Sequence, residues 1–306
     1  MAGNWTKLTA TAKTEDMETV SAVMSMLDNG LMIEDYSDFS LNGMYGDLVD
    51  EAILEKDKST VRISIFVPEE KNLGEYMSFL RERFSALSIE ASLEVEGMRE
   101  EDWAENWKKY YKPIPLGRVT IVPAWESYEA ADGEVVIRMD PGMAFGTGTH
   151  ETTRLVMKIM QDEIRGGERV LDLGTGSGIL SICASKLGAS HCNAYDIDPV
   201  AVKVARENAE ADGCTNISVG ISDLLAGVDT EGGKYDFCVA NIVADIIIRM
   251  LPDISDYITE SAPLILSGII APRLDEVTEK LTECGFVAER LEYENDWVAI
   301  LARRAK

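Results

Sequence analysis

At 306 residues, 46% of them hydrophobic, the chain exceeds an average domain and carries apolar mass for one large core and a smaller one, so two domains are expected. Its 54 acidic against 29 basic residues give a net charge of −25, a field that repels a phosphate backbone and draws a basic partner in; free nucleic acid is therefore not the expected substrate, although acidity also serves plain solubility. No apolar run reaches the roughly 18 residues of a membrane span, the N-terminus lacks a signal-peptide pattern, and the five cysteines (Cys183, Cys192, Cys214, Cys238, Cys284) form no C-x-x-C pair, so the expectation is a cytoplasmic protein with no membrane contact, no disulfide framework and no metal.

The first hundred residues alternate strand-like and helix-like pieces. Trp5 to Thr11 reads as a strand, Glu15 to Leu27 as an amphipathic helix closed by Asn29-Gly30, and Leu31 to Phe39 as a second strand. A short helical stretch near Val49 to Glu55 precedes a strand over Thr60 to Val67, whose β-branched residues alternate with polar ones up to Pro68. A helix over Leu73 to Leu87 and a strand over Ala91 to Glu96 complete the order strand, helix, strand, strand, helix, strand. That order predicts a ferredoxin-like α+β domain over residues 1–98. Residues 99–117 read as a linker helix, with Trp103, Trp107 and Tyr111 on one face until Pro113 and Pro115 stop it; rings at that spacing pack a helix against its neighbours more readily than they form a recognition stripe.

From residue 118 to 306 the pattern is that of an α/β domain. Strand candidates Arg118 to Val122 and Glu134 to Met139 lead into Asp140-Pro-Gly-Met-Ala-Phe-Gly-Thr-Gly-Thr-His-Glu-Thr-Thr153, a loop shaped by Gly142, Gly146 and Gly148. An amphipathic helix follows over Arg154 to Ile164, and the strand-helix alternation beyond it implies a mostly parallel sheet.

Arg169 to Leu173 is a strand, Gly174-Thr-Gly-Ser-Gly178 a turn, and Ile179 to Leu187 a helix ending at Gly188. Glycines in a strand-turn-helix let the backbone approach a ligand and aim amide N–H groups at it, so Gly174, Gly176 and Gly178, preceded by Asp172, form a candidate cofactor site. Asp196 ends the next strand, where a carboxylate can accept two hydrogen bonds from ribose hydroxyls. Asp198 and Pro199 read instead as a helix N-cap and first helical residue, with Gly213 past the other end.

A nicotinamide dehydrogenase also pairs a glycine turn with a downstream acid. Here the glycines recur at every second residue, and Ile179 stands where the third glycine of a G-x-G-x-x-G fingerprint belongs. The last two strands, Gly285 to Glu289 and Trp297 to Leu301, are separated by too few residues for a parallel crossover, so the final strand must run antiparallel. A parallel sheet closed by an antiparallel hairpin is similar to the seven-stranded, Rossmann-like fold of Class I S-adenosylmethionine-dependent methyltransferases. Asp223, past the strand Ile217 to Ile221, stands where similar enzymes contact adenine, though a loop aspartate is equally ordinary there. Asn241, at the end of the strand Tyr235 to Asn241, can hydrogen-bond both the methionine part of the cofactor and an incoming amine, or can simply cap the next helix.

Together these residues resemble the PrmA family of ribosomal protein methyltransferases, which modify the large-subunit protein L-eleven (L11). The resemblance rests on Asp140-Pro-Gly-Met-Ala-Phe-Gly-Thr-Gly-Thr-His150, Leu171-Asp-Leu-Gly-Thr-Gly-Ser-Gly-Ile-Leu180, Asp196-Ile-Asp-Pro199, Ala240-Asn-Ile-Val-Ala244 and Leu266-Ser-Gly-Ile269, with Trp103 and Trp107 in the linker. It implies S-adenosylmethionine as methyl donor, bound by Thr153, Gly174, Asp196 and Asn241 under a closing loop from Phe145 through Gly146 and Thr147 to His150. It also implies that residues 1–98 recognise the substrate, that lysine or N-terminal amines of L11 receive the methyl groups, and that Asn241 and His150 are the catalytic candidates. The chain departs from many relatives at Thr175, where they carry Cys, and at Asp245-Ile246, where they carry Gly-Pro; the second change lies on the substrate rim. Left open are an adenine methyltransferase, for which Ile242, Val243 and Ala244 supply no stacking ring, and a non-catalytic cofactor-binding assembly factor. The expected working unit is a monomer.

Overall fold

The computed structural model describes residues 5–28, 30–35, 57–68, 71–96, 112–139, 148 and 150–305. The helix expected near 49–55, the linker rings Trp103, Trp107 and Tyr111, and the loop residues Phe145, Gly146 and Thr147 lie outside the described residues. The chain divides into two compact units, Met1–Tyr111 and Lys112–Lys306.

The first unit contains β1 (Trp5–Lys13), α1 (Met17–Ser25), β2 (Met32–Asp35), β3 (Thr60–Pro68), α2 (Leu73–Ala86) and β4 (Ser92–Glu96). The strands form one antiparallel sheet in the order β2-β3-β1-β4, the split βαβ arrangement that the element order predicts. Alternation explains it: Leu8, Ala10 and Ala12 on β1 and Val61, Ile63, Ile65 and Val67 on β3 are buried, as are Val20, Val23 and Met24 on α1 and Phe79, Leu80 and Phe84 on α2. Asn72 caps α2, its Oδ1 accepting from the N–H groups of Gly74 at 3.0 Å and Glu75 at 3.3 Å.

The second unit opens with a small sheet of β5 (Ile114–Leu116), β6 (Val119–Pro123) and β7 (Val135–Met139), in which β6 pairs antiparallel with β5 and parallel with β7. The large sheet holds β8 (Arg169–Leu173), β9 (His191–Asp196), β10 (Ile217–Ile221), β11 (Phe237–Asn241), β12 (Leu264–Ile270), β13 (Phe286–Glu294) and β14 (Trp297–Arg304). Between them run α3 (Glu151–Glu163), α4 (Ile179–Lys186), α5 (Pro199–Ala211), α6 (Ala244–Ile254) and α7 (Leu274–Glu283). The order is β10-β9-β8-β11-β12-β14-β13, with β14 antiparallel to both of its neighbours. This is the Class I methyltransferase arrangement, antiparallel final strand included. Strands β11 and β12 read as nearly continuous apolar runs because both faces of a parallel sheet are covered; every residue of β11 is buried.

One helix boundary differs from expectation. Helix α3 begins at Glu151, three residues before the amphipathic pattern does, because His150 caps it and recruits the threonines into its first turn. The final strand runs antiparallel as expected and inserts between β12 and β13, burying Trp297 and Val298.

Candidate active site at the carboxyl edge of the parallel sheet

Register places the site. Leu173 of β8 lies beside Tyr195 of β9 on one side and Ala240 of β11 on the other. The next residue on each strand is therefore Gly174, Asp196 and Asn241, a row across three neighbouring strands spaced by roughly 4.8 Å. The chain visits β8, β9 and β10 in one direction and then returns to lay β11 on the other side of β8. That reversal is the switch point where open α/β sheets leave a crevice for ligands.

Strand β8 ends in backbone that only glycine adopts readily: φ is +71° at Gly174, +55° at Gly176 and +84° at Gly178. At Gly174 the requirement is also spatial, since a Cβ there would stand 2.2 Å from Ile242 Cγ2. The turn is held by Tyr195 O, which accepts from Gly174 N–H at 2.9 Å and Thr175 N–H at 3.0 Å. Asp172 lies fully buried beneath it, its Oδ2 accepting from the hydroxyls of Thr175 and Ser181, each at 2.7 Å. Burial pushes this carboxyl up to about 6; the two hydroxyl bonds pull the other way and the Asp196 charge adds to the rise. Thr175 thus anchors the turn to Asp172.

Asp196 is bound to the same turn. Its Oδ2 accepts from Gly176 N–H and its Oδ1 from Asp198 N–H, both at 2.9 Å, and burial raises its carboxyl above the ordinary range despite those bonds. Asp198 serves as the N-cap of α5, accepting from Val200 N–H at 2.8 Å, as its sequence position predicts.

Asn241 is 7% exposed and does not cap α6, whose N-cap is Val243. Its Nδ2 donates instead to Thr152 Oγ1 at 3.3 Å and Thr153 Oγ1 at 3.5 Å, while its Oδ1 finds no partner among the described residues. A buried carboxamide oxygen left in that state is costly unless something else comes to it. His150 caps α3: Nδ1 lies 2.8 Å from Thr152 Oγ1 and accepts from Thr152 N–H at 3.3 Å, and the ring meets Trp297 edge-on with centroids 4.9 Å apart.

Asp196, Gly174, Asn241, Thr153 and His150 are therefore brought together. Asp223 sits apart in an exposed ion pair with Arg249 at 2.6 Å, although its neighbour Ser222 donates to Asp196 O at 2.9 Å and keeps the segment next to the site. Asp245, the rim departure, pairs with Arg273 at 2.7 Å. Thr152, Ser267 and Trp297 escaped the sequence reading. Threonine, serine and tryptophan at those positions carry no signal until α3 is seen to begin at Glu151. Among the described residues no cluster of His, Cys, Asp or Glu could hold a metal ion, and no helix is long and apolar enough to cross a membrane.

With this geometry established, comparison with known proteins is decisive. The model of the ribosomal protein L11 methyltransferase (PrmA) family matches residues 4–305. The chain belongs to that family. It is 39% identical over 310 residues to the ribosomal protein L11 methyltransferase of Caldanaerobacter subterraneus, covering 98% of this chain and 99% of the relative. The Clostridium perfringens relative of the same name is 40% identical over 314 residues, covering 99% of each chain. A crystal structure of ribosomal protein L11 methylase from Lactobacillus delbrueckii subsp. bulgaricus superposes with a TM-score of 0.60 at 36% identity, over 64% of this chain and 100% of that one. Membership makes this protein a methyltransferase with S-adenosylmethionine as its methyl donor.

Proposed function

We propose that the protein methylates amines of ribosomal protein L11, on lysine side chains or at the N-terminus. The observation that carries the reading is Asn241: a buried carboxamide at the switch point, tethered through Nδ2 and with Oδ1 lacking a partner among the described residues. Gly174 and Asp196 flank it, so the residues present fit the cofactor. Asp196 would take the ribose hydroxyls, the Gly174–Gly178 turn would let the cofactor lie close to the backbone, and Thr153 and Asn241 would hold the methionine part. Residues 145–147 are assigned to the closing loop by family resemblance. Asp223 is assigned to the adenine edge on the same ground, its ion pair with Arg249 supplying an alternative occupation for the carboxylate.

When bound, S-adenosylmethionine would supply a methyl group on a sulfonium whose sulfur keeps the C–S electron pair, the amine lone pair forming the new N–C bond. The protein must therefore deliver a neutral amine in line. A lysine has an unperturbed pKa of about 10.4, and removal from water lowers it because the charged form loses solvation. Asn241 Oδ1 can accept one N–H of the neutral amine and so aim its lone pair, while water takes the released proton. Holding two reactants in such geometry contributes on the order of 7 to 11 kcal/mol in favourable cases.

The net charge of −25 favours a basic protein substrate over a free nucleic acid and suits a monomer. Residues 1–98 would select the substrate. The deciding assay is transfer from radiolabelled S-adenosylmethionine to purified L11, with total ribosomal RNA as competitor. Label on L11 that disappears with Asp196→Ala is expected. Label on RNA, or on neither despite cofactor binding, overturns the reading.

A further inference from the structure

We infer that the hairpin turn between β13 and β14 positions the reacting carboxamide, through a chain of hydrogen bonds whose direction is set at His150. The inference rests on Asn241 being the group that meets the amine. It assigns His150, Thr152 and Trp297 to positioning that group rather than to the chemistry.

The polarity follows from one donor. His150 Nδ1 accepts the backbone N–H of Thr152 at 3.3 Å, so that nitrogen carries no hydrogen and the ring proton sits on Nε2. The Thr152 hydroxyl, 2.8 Å from the same nitrogen, must then donate to it. Only lone pairs remain on Thr152 Oγ1 for Asn241, whose nearest atom lies 3.3 Å away; that atom must be the NH2. Thr153 Oγ1, at 3.5 Å, takes the second N–H. The carboxamide cannot flip without setting its oxygen against an acceptor, and Oδ1 is consequently turned away from the threonines.

The hairpin turn holds the start of this chain in place. Glu294 Oε1 accepts from Arg154 Nε at 3.0 Å, Asn295 Nδ2 donates to Glu151 Oε1 at 3.0 Å, and Trp297 braces the His150 ring edge-on at 69°. Three of four consecutive residues thus grip the first turn of α3. Asn295 adopts φ of 51°, the left-handed conformation that asparagine tolerates and that a two-residue hairpin needs. From β12, Ser267 Oγ donates to Thr152 O at 3.3 Å. The insertion of β14 between β12 and β13 is what brings Trp297 and Ser267 to the same helix end.

The test compares Thr152→Val, which keeps shape and loses the hydroxyl, with Thr152→Ser, which keeps the hydroxyl, and Trp297→Leu with Trp297→Phe. Hydrogen exchange of the Asn241 side-chain NH2, followed by NMR in the full-length protein, reads the positioning without any substrate. Slow exchange is expected in the wild type and Thr152→Ser, and fast exchange in Thr152→Val. In steady state with L11, Thr152→Val and Trp297→Leu should lower kcat about tenfold, the factor that one lost hydrogen bond near the reacting atom gives, with KM for L11 held within about twofold. Thr152→Ser and Trp297→Phe should recover most of the loss, which a merely destabilised fold would not show. Wild-type kcat together with unchanged Asn241 exchange in Thr152→Val overturns the inference. Failure of the wild type to methylate L11 counts against the proposed substrate instead, and the exchange comparison still decides the positioning.

Discussion

In the N-terminal sheet the buried hydroxyls of Thr9 and Ser64, cross-strand partners on β1 and β3, meet each other at 2.9 Å, and the orphaned atom of those strands, Thr11 Oγ1, is a neutral hydroxyl. At the carboxyl edge of the large sheet, a carboxylate oxygen of Asp172 and the carboxamide oxygen of Asn241 have no partner among the described residues. Burying a carboxylate oxygen unpaired costs more than burying a hydroxyl, and an unpaired carboxamide oxygen costs about as much as one. The hydroxyl pair of the first sheet serves the fold, whereas Asp172 and Asn241 hold unpaired oxygens at the carboxyl ends of β8 and β11.

The contrast breaks most sharply at glycine. Gly174→Ala forces a Cβ to 2.2 Å from Ile242 at φ of +71°, whereas Gly133, at φ of +76°, has nothing within 4 Å. Gly174→Ala is expected to lose about 3 to 5 kcal/mol of stability in urea titrations, overpacking added to left-handed strain, and to abolish cofactor binding. Gly133→Ala should lose only about 1 kcal/mol, the strain alone. Similar losses at both sites would show that backbone conformation, not close approach, governs the turn.

Asp196→Ala removes the carboxylate proposed to hold the ribose. Calorimetric titration should show the Kd for S-adenosylmethionine rising about 100-fold, the loss of about two charge-assisted hydrogen bonds. A Kd within severalfold of wild type would leave Asp196 a structural partner of Gly176 and Asp198 only.

Asp172 sharpens the comparison through pH. Its folded carboxyl, at about 6, holds a proton more tightly than an ordinary aspartate at 3.8. The folded state therefore binds more protons between those values, and stability falls as pH rises from about 4 to about 6, staying lower above that. Asp172→Asn keeps the acceptor for Thr175 and Ser181 and lacks the charge. It should gain stability over the wild type at pH 7 by an amount on the order of 3 kcal/mol and gain nothing near pH 3.5. Equal gains at both pH values would mean packing rather than charge is responsible.

The smallest effect is expected at the rim. Asp223 and Arg249 are both more than half exposed, and such pairs contribute about 0 to 1 kcal/mol. Asp223→Ala should change stability by less than about 0.5 kcal/mol and cofactor Kd by no more than about threefold. A larger rise in Kd would establish the adenine contact that the ion pair calls into question.

Much of this protein is legible without coordinates. The Asp-x-Gly-x-Gly-x-Gly turn and the Asp198-Pro199 cap are local signals, because each needs only a neighbour a few residues away, and Asp196 is legible as the end of the next strand, about twenty residues on. The split βαβ order of the N-terminal unit and the antiparallel last strand follow from alternation and from a connection too short to cross over. Asn241 stood at the right strand end, but its two readings, helix cap or ligand group, required knowing which hydroxyls face it.

The chain order of residues thus determined the fold class, the cofactor turn and the acid beside it, all of which depend on short-range geometry and periodicity. Tertiary structure alone decided that β14 slots between β12 and β13, that Trp297 and the hairpin turn meet the first turn of α3, and that Thr152 fixes the direction of the Asn241 amide. Those contacts join residues separated by 89 positions in one case and 144 in another, and no local pattern encodes a hydrogen-bond polarity assembled from three distant elements.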